Sequence, residues 1–179
     1  MRWCMRMHRW LGTAGAALAL CCAVMPAWGL ELHEYQLKAG FVYNFAVLTT
    51  WPTDVGDTIK LCIYGRDPFG SDIDALNRKV VGTRVLAVER KTDLESLKTC
   101  QLVFIPEGES LRIPRIQDAL RGVPALTVAE SKDAARLGVM LNLSVVHDRI
   151  SFEVNQGSAR RAGLLFSAKL LRLATEVLP

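Results

Sequence analysis

Histidine is scarce in this chain, long apolar runs are missing, and no catalytic constellation is visible. Three histidines occur in 179 residues. Neither His33 nor His147 has a second His, Cys or carboxylate at a metal-ligand spacing such as i,i+4 on a helix, which argues against a zinc-type centre. A Gly-x-Ser-x-Gly elbow is absent, so no activated serine is expected. No apolar run reaches the roughly 18 to 20 residues of a membrane-spanning helix. Repeats, low-complexity tracts and Pro/Gly-rich linkers are missing too, so one domain is expected. His147 reads as an exposed turn residue and His33 as a solvated one near the start of a helix.

What is present begins with a leader. Arg2, Arg6 and Arg9 precede an uncharged run of Leu, Ala, Gly, Cys and Val over 11–25, and Ala27 and Gly29 place small residues at −3 and −1 of a cut after Gly29. That is the pattern of a secretory signal peptide. The expectation is a cleaved signal over 1–29 and an exported domain over 30–179. A lipoprotein signal at Cys21 or Cys22 is the rival, disfavoured by Leu20 and Cys21 as the residues before the acylated cysteine.

Removing the leader takes three of the 22 Lys and Arg residues and none of the 18 acidic ones, leaving 19 against 18, or +1. The basic footprint of a nucleic-acid binder is therefore absent. Of the five cysteines, Cys4, Cys21 and Cys22 also leave, and Cys62 and Cys100 remain as an even pair in an oxidising compartment. Cys62 falls in a strand over 59–64 and Cys100 just before a strand over 101–105. Parallel pairing of those strands would bring the two within disulfide range.

The spacing predicts a helix over 31–48, with Tyr35, Ala39, Val42 and Ala46 on one stripe and Phe41, Phe45 and Leu48 beside it. Trp51-Pro52 ends it. After the strand over 59–64 comes a helix ending near 77, with Asp67 as N-cap and Pro68 at its first position. A strand over 83–89, a helical turn over 94–98, the strand over 101–105, a helix over 113–120 and a strand over 124–128 follow. Strands alternating with helices indicate a mostly parallel sheet. Residues 139–145 and 149–154 flank His147-Asp148 as an antiparallel hairpin, and 158–176 reads as one long amphipathic helix. The expected fold class is α/β: a single domain with a mostly parallel central sheet and a C-terminal antiparallel hairpin, flanked by N- and C-terminal amphipathic helices.

Three features invite a functional reading. Gly65-Arg66-Asp67-Pro68-Phe69-Gly70 has a phosphate-loop spacing of glycines but no Lys-Ser/Thr after the second, so it reads as a strand-to-helix turn. With 106–108 it would line a crevice at the carboxyl end of a parallel strand, where open α/β sheets bind ligands. Arg161, Lys169 and Arg172 fall on one side of the last helix, either as a solvated face or as a contact for an acidic partner. The first helix carries more apolar residues than one buried face needs, Phe41 and Phe45 among them; either it is clasped from two sides or part of the surplus is a protein contact. Asn142-Leu143-Ser144 fits a glycosylation acceptor but lies inside a predicted strand.

Lys38-Ala39-Gly40-Phe41-Val42-Tyr43-Asn44-Phe45-Ala46 with Trp51-Pro52, Leu61-Cys62-Ile63-Tyr64-Gly65 with Asp67-Pro68-Phe69-Gly70, Cys100-Gln101-Leu102-Val103-Phe104-Ile105, and Arg149-Ile150-Ser151-Phe152-Glu153-Val154-Asn155 with Ala162-Gly163-Leu164 and Lys169-Leu170-Leu171 occur in order. In these the chain resembles the YfiR-like family of bacterial periplasmic proteins over essentially its whole mature length. The resemblance implies a periplasmic, dimer-forming regulator that represses an inner-membrane diguanylate cyclase by binding its periplasmic sensor region, and so controls cyclic-di-GMP. It implies no cofactor. The chain lacks the second mature cysteine pair known in the family, so redox behaviour resting on that pair does not carry over.

Two other classes stand beside the regulator. A periplasmic small-ligand-binding protein would use the crevice near 65–70 and 106–108. An enzyme is the least supported, for want of an acid, a base and a nucleophile.

Overall fold

The computed structural model describes residues 28–147 and 149–179. Helix α1 (Trp28–Val47) leads through β1 (Thr49–Thr50) and a 3-10 turn (Thr53–Val55) to β2 (Thr58–Tyr64). Then come α2 (Ser71–Asp74), β3 (Val80–Val81), β4 (Arg84–Lys91), a 3-10 turn (Glu95–Thr99), β5 (Leu102–Ile105), a 3-10 turn (Glu107–Arg112), α3 (Ile113–Ala119) and β6 (Leu126–Ala129). The chain closes with β7 (Leu141–Val146), β8 (Arg149–Asn155), α4 (Gln156–Arg161), β9 (Leu165–Phe166), α5 (Ala168–Leu173) and β10 (Glu176–Leu178).

Eight strands form one sheet in the order β3-β4-β2-β5-β6-β7-β8-β10. Strands β4, β2, β5, β6 and β7 run parallel, and β7 and β8 form the antiparallel hairpin foreseen. Its turn holds His147 at φ 50°, the sign that a tight two-residue hairpin turn requires. The fold is the expected α/β one.

The parallel strands are buried on both faces, as near-continuous apolar runs in such sheets are. Ile59, Leu61, Ile63, Leu102, Phe104, Leu126 and Val128 point to one core, with Ala39, Val42, Phe45 and Ala46 of α1 packed over them. Cys62, Tyr64, Val103 and Ile105 point to the other, under Leu97 and the Ile113, Ile116 and Leu120 of α3. The predicted bridge is present: Cys62 and Cys100 are disulfide-bonded with their Cα atoms 6.0 Å apart.

Two predicted segments are built differently. The helix expected over 158–176 is broken into α4, β9 and α5, and the chain then leaves the helix for β10, which pairs in parallel with β8. Gly163 takes φ 74°, which ends α4, and the Ser167 side chain accepts from Leu170 N–H to start α5 afresh. Asp67 does not cap a helix. Its Oδ1 accepts from Phe69 N–H at 2.8 Å in a tight turn, and α2 begins only at Ser71. The predicted leader over 1–29 lies outside the described residues except for its last two, which belong to α1.

Candidate functional site

From β2 the chain steps to β4 on one side, then crosses to β5 on the other. The first connection covers one face through Ile73 and Leu76, and those that follow cover the opposite face through Leu97 and α3. Where the direction of winding reverses, the loops leaving neighbouring strands diverge and a crevice opens at their carboxyl ends. Here it is a 610 Å³ cavity lined by Arg66, Asp67 and Pro68 after β2, Pro106, Glu107, Gly108 and Glu109 after β5, Glu130 after β6 and Tyr35 of α1. It occupies the place that the sequence marked at 65–70 and 106–108.

Its walls are braced. Arg90 of β4 donates from Nε to Asp67 Oδ2 at 2.9 Å and from Nη2 to the Gly70 carbonyl at 3.1 Å, and it pairs with Asp74. Gly65 turns the chain out of β2 at φ 72°, and a Cβ there would overlap the Glu109 carboxylate laid across it. Arg112 holds that carboxylate at 3.2 Å and donates to Tyr64 Oη at 3.1 Å.

Behind the crevice lies a buried polar knot. Lys38 of α1, 5 % exposed, places Nζ 2.5 Å from Glu34 on its own helix and 2.5 Å from Glu130. Glu130 also accepts from Tyr35 Oη at 3.2 Å and from Glu107 N–H at 3.4 Å. Burial pushes the Lys38 ammonium down, but its hydrogen bonds to Glu130 and Glu34 outweigh that and hold its pKa above the ordinary lysine value. Burial, followed by the Glu130 charge, drives the Tyr35 phenol well above its usual range. Both groups are thus locked in their protonated forms at neutral pH, which suits a structural brace more than proton transfer. Among the described residues, no three His, Cys, Asp or Glu side chains are placed to share a metal ion.

The residues singled out for partner contact fall in different places. Phe45 is in the core, its ring 5.0 Å from Phe152, and Phe41 is half-buried at 6.2 Å from the same ring. Strand β8 thus takes up much of the apolar surplus of α1; among the side chains described from Glu34 on, Leu37 and Val47 are exposed large apolar ones. Arg161, Lys169 and Arg172 do not share one helix. Arg161 ends α4 and donates to Ser158 Oγ at 2.8 Å, whereas Lys169 and Arg172 stand one turn apart on α5, both exposed. Leu165 and Leu173, also exposed, flank them in sequence. Asn142 is buried in β7 and donates to Glu153, so it is no accessible glycan acceptor.

Sequence reasoning passed over Lys38 and Glu130. The available signal was a lysine three residues after Tyr35 and four before Val42, on the buried stripe of an apolar helix, where a charge demands a partner. Nothing in the sequence names Glu130 as that partner.

A family model described as YfiR/HmsC-like matches residues 35–175, which take in Lys38 and Glu130, the crevice, the bridge and the hairpin. The chain belongs to the YfiR/HmsC-like family.

Proposed function

We propose that this protein is exported to the periplasm and there binds the sensor region of an inner-membrane signalling protein, a diguanylate cyclase, holding it inactive. The family match over residues 35–175 carries this reading, since membership is consistent with a periplasmic regulator of cyclic-di-GMP signalling. The Cys62–Cys100 bond suits an oxidising compartment, and no described helix is long and apolar enough to cross a membrane. Repression needs only tighter binding to the inactive receptor than to the active one. Moving the receptor from mostly active to mostly inactive takes about 5.5 kcal/mol of differential affinity. The active form is a homodimer, and the exposed Lys169 and Arg172 of α5 are its contacts for an acidic receptor surface.

Deleting the gene should raise cellular cyclic-di-GMP only while the receptor gene is intact, and the purified protein should bind the receptor's periplasmic segment. An unchanged level with the receptor expressed, or no binding, refutes the repressor reading. The braced crevice at the reversal of winding supports a second reading, a small-ligand-binding protein. Saturable binding of a metabolite with a thermal shift, in a protein that ignores the cyclase, would put that reading first.

A further inference from the structure

The sheet closes its open edges where strands stop short. At β4, beyond the end of β3, the Asn77 side chain takes the Val88 N–H at 2.8 Å. At β8, β10 covers residues 153–155, and Thr175 donates from its N–H and from Oγ1 to the Phe152 carbonyl, both at 2.9 Å. Strand β7 is left bare. β6 pairs with it only at Leu141 and Asn142, while β7 runs on against β8 to Val146, so over 143–146 its other edge has no strand partner among the described residues. Val146 faces Arg149 across the two-residue turn, and alternation then aims the backbone groups of Val146 and Ser144 at β8 and those of Val145 outward. Unpaired edge groups are a template for another strand, which proteins blunt with lysine, proline or a bulge. Leu143-Ser144-Val145-Val146 has neither lysine nor proline, and its register against β8 is unbroken.

Leu143, Ser144 and Val145 border a hollow of 540 Å³, which is bounded also by the start of α1 and by the chain after β6. Its charge selects what can lie along the edge. Lys38 is shared between Glu34 and Glu130, and the exposed neighbours Lys132 and Asp133 offset each other. Glu107 and Glu153 also line the hollow and pair with no cation among the described residues. A second copy of β7 would set these carboxylates against themselves, so the edge disfavours its own kind. A strand that carries lysine or arginine is attracted instead.

We propose that β7 takes an added strand, an extended basic segment of the receptor's periplasmic region, which hydrogen-bonds to the backbone of Val145 and lays its lysine or arginine side chains in the hollow. This rests on the repressor reading and names where the receptor docks. Hydrogen exchange at the Val145 amide tests it, in the full exported protein alone and with the receptor's periplasmic segment. Alone, that amide should exchange freely; in the complex it should slow roughly tenfold or more. Val145→Pro deletes the one N–H without taking a bond from β8, since proline is tolerated where the N–H faces out of a sheet. It should weaken binding of the segment roughly tenfold or more at an unchanged melting temperature, and if the variant does not fold, the exchange measurement on the wild type decides alone. Glu107→Lys, at an exposed position, should weaken binding most at low salt. A complex in which the Val145 amide exchanges as fast as in the free protein overturns the added strand and leaves the repressor reading standing. A receptor segment that does not bind at all overturns both.

Discussion

The two faces of the sheet are covered in different ways. One lies under the twenty-residue α1, with α2, α4 and α5 around it, and its core is aromatic: Phe45, Phe69, Phe104 and Phe152 meet edge to face at centroid distances of 4.6 to 6.2 Å along with Phe41. The other lies under α3 and two 3-10 turns, none longer than seven residues, over smaller side chains such as Ala125, Ala129 and Val139. Helices that short are unstable by themselves and depend on packing. On the thin face a covalent bond assists: Cys100, at the end of the first turn, is tied to Cys62 in β2. Where burial is ample the protein relies on it; where it is scant, a bridge restricts the unfolded chain instead.

Neighbouring residues of β5 test the contrast most sharply. Phe104 enters the aromatic core and Ile105 the thin one, both fully buried. Phe104→Ala should cost about 4 kcal/mol, whereas Ile105→Val, which removes one methyl group from the thin face, should cost about 1 kcal/mol. Urea unfolding with an unchanged slope would give both numbers. A loss of less than about 2 kcal/mol for Phe104→Ala would show that the aromatic core is not tightly packed around that ring.

A buried charge, that of Lys38, interrupts the apolar cover of the thick face. Lys38→Met leaves Glu34 and Glu130 facing each other without their shared cation and should cost about 3 kcal/mol at neutral pH, the loss typical of breaking a buried pair. The wild type should also weaken in alkali. Lys38 and Tyr35 both have pKa values raised by folding, so the native state keeps protons that the unfolded chain releases. Their contribution is complete below the unfolded values near 10 and is lost as pH rises through the folded ones. Stability should fall more steeply above about pH 10 in the wild type than in Lys38→Met. Parallel curves in that range would mean that the knot does not couple to folding.

Opening the bridge acts on the other face. Replacing both cysteines by alanine frees a loop with a sequence separation of 38 residues and should cost about 3 kcal/mol. The loss should be local first. Amides of α3 and of the turn at Glu95–Thr99 should exchange faster, while α1 keeps its protection. Uniform acceleration over both layers would contradict separate support of the two faces.

Much of this plan was legible because it repeats locally. Two-sided apolar strands, a first helix with its stripe, and an even cysteine pair beside two such strands each announce themselves within a few residues. The C-terminal segment was not legible, since Leu164, Leu170, Leu171 and Leu173 keep a helical spacing across a break. That break is set by Gly163 in the left-handed region and by Phe166 and Leu165 pairing with Thr49 and Thr50 far back in the chain. Three residues at Glu176–Leu178 become a strand only because the edge of β8 is there to receive them. The crevice could be placed from strand order alone. The Lys38–Glu130 pair spans 92 positions, and no local pattern encodes it.

The smallest effect on stability is expected where neither core is involved. On α5 only Leu170 is fully buried; Lys169 and Arg172 are exposed and make no ion pair among the described residues. Lys169→Glu with Arg172→Glu should therefore change the unfolding free energy by no more than about 0.5 kcal/mol. Reversing two charges on a docking surface acts differently: like charges brought together slow association and raise the dissociation constant, most strongly at low salt. Binding to the receptor's periplasmic segment should weaken by roughly tenfold or more, while the melting temperature and the oligomeric state stay as they were. A variant that binds as the wild type does at low salt would remove α5 from the contact surface and send the search to the exposed Leu37 and Val47 of α1.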